Sequence, residues 1–474
     1  MPITEHNTSN KNSLATFAAI ACGIGLLLQL PSGVMHLYLG KWIYARDIIL
    51  VLALALGLMT DWNGFRRTLP LGDLSIYIGV MTLIIGVCGI IRGELVRCLI
   101  ILMWHIIWIS SLFCGYRLMR SFGPKSIVIC LLCVIAYCAC EVGAGQLELR
   151  RGQYLLNIED SEETILGEKL VTSEYLDQTL RVRGMQRNVF NFANLMGTAA
   201  ICAAMLAYYW RRHPLKMAAA AALTPVFLVM LTLSGGRSAL IGILVASIYG
   251  VIALSWRQKT PFKLGVLIVA TWILIAIISV TGIGDLISRV VELLPTKAYY
   301  TDVGSSFDRD DVWQDASKTI MESPVNFLIG VPLGDSSADH LVITDNWLLY
   351  NIYHGGLLMF VWFLMAMLQL IFKAARGPAF GWPAIVLFGF MAGEALARES
   401  FFFLSAPVFF VVVAAAITET VPVERSRFVR NRAENLPTNL TGKRMGSEAM
   451  SAGNELQELE TDGYSIDHQK VTHV

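Results

Sequence analysis

The stretch WLLYNIYHGGLLMFVWFLMAMLQLIF, Trp347–Phe372, runs 26 residues without an Asp, Glu, Lys or Arg. At 1.5 Å per residue a helix of that length reaches about 39 Å. Crossing a hydrocarbon core takes about 20 apolar residues. Helices satisfy their own backbone hydrogen bonds in lipid, so a bundle of them is the expected fold. Strand-like alternation at ten-residue spacing is absent, which argues against an outer-membrane barrel.

Outward from that stretch the pattern repeats. Further apolar segments fall at 14–30, 44–60, 71–91, 95–115, 125–143, 189–210, 217–234, 238–255, 264–281, 382–397 and 401–417, giving twelve spans with 347–372. The expectation is an all-α polytopic membrane protein of about twelve transmembrane helices. Composition agrees: 55% of residues are hydrophobic and 15% charged, against about 25% charged in a soluble domain. The polar residues 1–13 precede a first span, Leu14–Leu30, that is expected to be retained, because no obvious cleavage site follows it.

Lys and Arg in short loops set the orientation. Arg66/Arg67, Arg117/Arg120/Lys125, Arg211/Arg212/Lys216, Arg257/Lys259/Lys263 and Lys373/Arg376 all fall on one side of the twelve spans. So does the tail, which opens with basic residues from Arg425 to Arg432. That side is predicted to be cytoplasmic, with both termini. The tail 418–474 is predicted to be disordered, since it has little apolar surface to bury. The long loops 144–188 and 282–346 are then extracytoplasmic. The second is rich in Asp and carries amphipathic stretches such as Val312–Ile320, so short helices are expected within it.

Chemistry is expected at the outer face, because arginines gather there against the positive-inside bias. Arg181, Arg183 and Arg187 precede the span at 189. Arg237 sits in Ser234-Gly-Gly-Arg-Ser238, Arg46 opens the second span, and Arg398 closes the eleventh. Guanidinium is planar, always charged and forks onto phosphate oxygens. Fixed arginines can stabilise charge growing on a pyrophosphate leaving group without a metal. The plainer alternatives are snorkelling to headgroups or pairing with a nearby acid. Arg46 has such an acid next to it in Asp47, and Glu394 has Arg398 one turn away.

Asp345, before the span at 347, suits a helix N-cap or a general base taking a sugar hydroxyl's proton, and the two roles are compatible. His340, in the loop, is a further candidate. His354 is expected to pack or hydrogen-bond inside its span. All nine cysteines fall in apolar segments, and Cys130/Cys133 reads as filler in spite of its CxxC spacing. No P-loop, dinucleotide glycine motif or zinc-type histidine pair occurs. No cofactor, metal or nucleic-acid partner is expected.

Several segments in order carry a family likeness. Leu231-Thr-Leu-Ser-Gly-Gly-Arg-Ser-Ala-Leu240 resembles the T-x-S-R-(G/S) segment of the O-antigen ligase and Wzy-type polymerase superfamily. Arg183-Gly184 with Phe190-Asn-Phe-Ala-Asn194 is similar to its R-x-x-G-x-F-x-x-P-N-x-x-A segment, without the proline. Arg309-Asp-Asp-Val-Trp313, then Glu322-Ser-Pro324 and Gly330-Val-Pro-Leu-Gly334, resemble its outer-loop motif. Asp345-Asn346-Trp347 with Gly355-Gly-Leu357 resembles its H-N-x-x-L…G-x-x-G helix start, with aspartate where the ligase branch has histidine.

The likeness covers roughly residues 180–372. It implies a GT-C-like, metal-independent, inverting glycosyltransferase of the bacterial inner membrane. Its donor would be an undecaprenyl-pyrophosphate-linked oligosaccharide and its product a growing polysaccharide chain, whether exopolysaccharide, capsule or O-antigen. A flippase and a chain-length regulator would be further partners. Arg237, Arg309 and Asp345 are the expected catalytic residues. Arg181, Arg183, Asn194, His340, Asn346 and Arg398 are expected to bind substrate. The alternatives are a ligase delivering finished glycan to lipid A core and a secondary transporter. Against the transporter, no repeat of the two halves is seen and midplane charges are few.

Overall fold

A computed structural model describes residues 4–31, 34–35, 38, 44–92, 95–153, 155–156, 175–176, 179–180, 182–186, 189–256, 317–331, 347–395 and 405–421. These fold almost wholly as helices: α1 Thr4–Leu27, α2 Tyr44–Thr68, α3 Gly72–Arg92, α4 Leu95–Phe122, α5 Pro124–Arg151, α6 Val189–Tyr209, α7 Pro214–Leu233, α8 Arg237–Trp256, the short α9 Pro324–Ile329, α10 Trp347–Ala374, α11 Gly381–Ala395 and α12 Ser405–Thr420. One two-residue antiparallel ladder, β1 Tyr175–Leu176 with β2 Thr179–Leu180, is the exception. By length and composition, five of the described helices can cross a membrane: Ala45–Thr68, Pro124–Arg151, Val189–Tyr209, Pro214–Leu233 and Tyr350–Ala374.

A helix stands at eleven of the twelve expected spans. The segment 264–281 lies outside the described residues, as do loop residues 257–316 and the tail from 422. Several boundaries differ from expectation. The outer loop was expected from 144, yet α5 continues to Arg151. Ala144–Arg151 are good helix formers apart from Gly145. Gly152 closes the helix in a left-handed conformation, its N–H donating to the Glu148 carbonyl. Likewise α4 runs on to Phe122, so Arg117 and Arg120 lie on a helix instead of in a turn. Helix α2 breaks from helical geometry at Asp61, where the apolar run ends, and then resumes to Thr68. Helix α1 begins at Thr4, ahead of the apolar segment.

Helix α6 is buried on all sides along most of its length, as are α11 and α12. That fits a sequence with no polar face. Glycines let neighbouring helices close up, as small residues do in lipid where no hydrophobic force drives association. Between α8 and α11, a Cβ at Gly393 would lie 2.8 Å from the Gly242 Cα, and one at Gly242 would lie 2.8 Å from the Phe390 ring. The aromatic cluster Trp108, Trp347, Phe363, Tyr77 and Phe410 binds α3, α4, α10 and α12 together.

Short helices do occur in the described part of loop 282–346: residues 317–321 and α9. They are seated on α10 where it kinks at Gly356 (φ 68°, ψ 177°). The kink frees the Tyr353 carbonyl, and the Val331 N–H takes it at 2.9 Å. Only glycine fits the contact. The Gly356 backbone has a positive φ and presses on the Leu328–Ile329 main chain, while a Cβ at Gly330 would lie 2.7 Å from the His354 carbonyl oxygen. Ile320 and Tyr353 form the apolar centre of this docking.

Candidate functional site

One end of the bundle is tied together by a belt of polar and packing contacts. It begins at the junction of α1 and α2. There the Gln29 amide donates to Asp47 at 2.9 Å, and the expected Arg46–Asp47 pair forms at 3.4 Å. Gln186 then reaches the Leu30 carbonyl at 3.1 Å and the Tyr137 hydroxyl at 2.8 Å, and also donates to Glu141. Tyr137 donates to the same carboxylate.

The last three turns of α5 carry the centre of these contacts. Glu141 and Glu148 are seven residues apart, on one helical face, and both are fully buried. They grip the segment Val182–Gln186 by its main chain. Glu148 accepts the N–H of Arg183 at 3.0 Å and of Gly184 at 2.8 Å on one oxygen, and of Leu155 at 3.2 Å on the other. Glu141 accepts the N–H of Met185 at 2.7 Å. Gly184 has φ +60° and lies against Glu141 and Phe192, which leaves no room for a side chain. Gly145, between the two acids, leaves space for Val182 and Met230.

From there the belt passes to α7 and α8. The Val182 N–H donates to the Leu233 carbonyl at 3.4 Å. In the turn that follows, Gly236 packs on Ala193 of α6, and its N–H meets the Ser234 hydroxyl at 3.3 Å. Helix α8 starts at Arg237, four residues after Leu233; the Arg237 side chain lies outside the described residues. The belt ends at Asn194, which donates to Glu394 and, at 3.1 Å, to the Ser405 hydroxyl, and accepts the Ser405 N–H at 3.1 Å. One amide thus links α6 to the end of α11 and the start of α12.

Two of the nine predicted site residues are therefore described in full, and both are buried. Asn194, expected to bind substrate, has its hydrogen-bonding capacity engaged between helices, with no exposed surface. Arg183 is 5% exposed, and its guanidinium donates to the Leu156 carbonyl. The carboxylate of Glu148 and the charge of Arg183 also attract through space. Arg181, Arg309, His340, Asp345, Asn346 and Arg398 lie outside the described residues, as does any Asp345 cap on α10. Glu394 meets Asn194; its expected partner Arg398 is among those not described. His354 is buried between the rings of Tyr350 and Tyr353. Among the described residues no group of His, Cys, Asp or Glu could hold a metal ion.

The sequence matches no protein-family model and no curated protein. The site is thus argued from its own chemistry. The residues that sequence reasoning passed over are Tyr137, Glu141, Glu148 and Gln186. A signal for the acids exists: two carboxylates seven residues apart in a helical segment share a face and are costly in an apolar setting unless hydrogen-bonded.

Proposed function

We propose that this chain is a polysaccharide polymerase of the bacterial inner membrane, acting at the outer face on undecaprenyl-pyrophosphate-linked repeat units. An acceptor sugar hydroxyl attacks the anomeric carbon of the donor glycan. The carbon–oxygen bond to the pyrophosphate breaks, the configuration inverts, and lipid pyrophosphate leaves with the bonding pair. Arg237 and Arg183 hold the pyrophosphate and stabilise its growing charge, with Arg309 in support. Asp345 takes the hydroxyl proton. Arg181, Arg398, Asn346 and His340 line the path of the glycan. In this reading Asn194 acts from behind, holding α6 to α11 and α12.

The observation that supports the reading is the hydrogen bond from the Val182 N–H to the Leu233 carbonyl, which joins the residue before Arg183 to the last residue of α7, four positions ahead of Arg237. The two arginines come from separate hairpins. A pyrophosphate has two charged centres and is suited to such a convergence. The ordered motif likeness over residues 180–372 supplies the reaction class.

The test is the lipid-linked pool of a deletion strain. A polymerase predicts single repeat units accumulating on lipid and no long polymer, both reversed by the wild-type gene. A ligase predicts finished long chains stranded on lipid. A transporter predicts neither, and an unchanged pool with normal polymer overturns the proposal.

A further inference from the structure

Glu141 and Glu148 are two of the buried charged groups that the proposed reaction leaves without a role. Burying one carboxylate costs several kcal/mol unless hydrogen bonds offset it, and this chain buries two on one helix face. A turn that merely needed closing could use neutral acceptors. The acids reach three consecutive main-chain N–H groups, those of Arg183, Gly184 and Met185. Such converging amides form an anion nest elsewhere in proteins. In this chain the nest is already filled by Glu148 and Glu141, so these amides are closed to an incoming anion, and the cationic group of the segment is the Arg183 guanidinium, which is bonded to the Leu156 carbonyl.

We propose that Glu148, backed by Glu141, is a positioning residue for Arg183: its carboxylate holds the Arg183–Met185 main chain so that the guanidinium is presented to pyrophosphate from one fixed base. The inference rests on the reading of Arg183 as a pyrophosphate ligand. It adds the device that fixes that ligand. Left-handed Gly184 and the space at Gly145 let the chain lie close enough to α5 for both acids to reach it. Gln186, bonded to Glu141, carries the same constraint to Leu30 of the α1 end.

A second effect of Glu148 has the opposite sign, which makes the proposal testable. As a negative charge near Arg183, Glu148 weakens anion binding. As a clamp on the main chain, it strengthens it. The experiment uses the full chain in lipid nanodiscs, titrated with geranylgeranyl pyrophosphate and, separately, with geranylgeranyl monophosphate. Wild type should bind the pyrophosphate more tightly, and Arg183→Ala should lose that preference. Glu148→Gln retains one acceptor oxygen but turns an amide donor toward the Leu155 N–H. It should weaken pyrophosphate binding about tenfold or more, the order of one charge-assisted hydrogen bond lost when the guanidinium is misplaced. Its preference over monophosphate should collapse, whereas a purely structural defect would lower both affinities alike. Glu148→Asp, which keeps the charge but has a shorter reach, should fall in between, and it serves if the glutamine variant does not fold.

Unchanged or tighter pyrophosphate binding in both Glu148 variants, with Arg183→Ala still defective, overturns the positioning role and leaves the functional reading intact. Equal affinity of wild type and Arg183→Ala overturns the reading of Arg183, and the positioning role with it.

Discussion

Arg117 and Arg183 are equally buried, each 5% exposed, yet they are held in opposite ways. Arg117 is held by its head. Its guanidinium bonds Asp61 at 2.8 Å, the Asn12 carbonyl at 2.8 Å and the Thr16 hydroxyl at 3.3 Å. Tyr116 adds a bond to Asp61 at 3.0 Å, and Arg120 one to Tyr116 at 2.7 Å. Arg183 is held by its main chain, through the Glu148 carboxylate, while its guanidinium reaches a neutral carbonyl. The two sites belong to opposite ends of the helices. Asp61 and Asp47, one in each network, are fourteen residues apart on α2, about 21 Å of helix. Equal burial is thus reached by two arrangements: an acid facing Arg117 completes a clamp on its head group, whereas Glu148 bonds the backbone at Arg183, fixes its base and acts on the guanidinium through space.

This contrast can be broken at several points. The largest effect is expected at the Arg183 end. Arg237→Ala should lower polymer formation per molecule by about 10²–10³, the cost of removing a charge-stabilising donor from such a site. Arg237→Lys should recover only part, because one ammonium cannot fork onto two oxygens. Turnover of purified protein at matched concentration measures both, and near-normal turnover of the alanine variant would shift the role to Arg183.

At the Arg117 end the loss should be of stability. Asp61→Asn leaves a guanidinium without its anion. Removing one partner of a fully buried pair costs about 3–5 kcal/mol, and Asp61, at 17% exposure, should fall somewhat below that. Thermal unfolding in detergent should show the drop, while turnover per folded molecule stays near wild type. A turnover defect larger than the stability loss would erase the distinction between the two ends.

A smaller effect is expected at the docked loop. Gly356→Ala puts a Cβ against the Leu328–Ile329 main chain at a positive φ. Overpacking of this kind costs about 1–3 kcal/mol. Proteolysis between 317 and 331 should speed up in the variant, and an unchanged rate would mean that the kink does not hold the loop.

The helices were legible because long apolar runs have few other solutions in a membrane. Their ends were less so. The run after Ile127 loses its apolar character at Glu141, which marks a membrane exit but does not stop a helix; Gly152 does. The Arg46–Asp47 pair could be read because its partners are adjacent. The clamp on Arg183 could not, since its acceptor is 35 residues away in sequence and grips the backbone, which every residue type shares. Asn194 was found through motif likeness, and the helix junction that occupies it depends on Ser405, 211 residues further on.

In the proposed orientation the Arg183 end faces outward and the Arg117 end faces the cytoplasm. Reporter fusions at 165, 315 and 430 read that orientation. Signals at 165 and 315 should be extracytoplasmic and the signal at 430 cytoplasmic. A cytoplasmic signal from the fusion at 315 would contradict it, because the lipid-linked donor and the proposed site would then lie on opposite sides of the membrane.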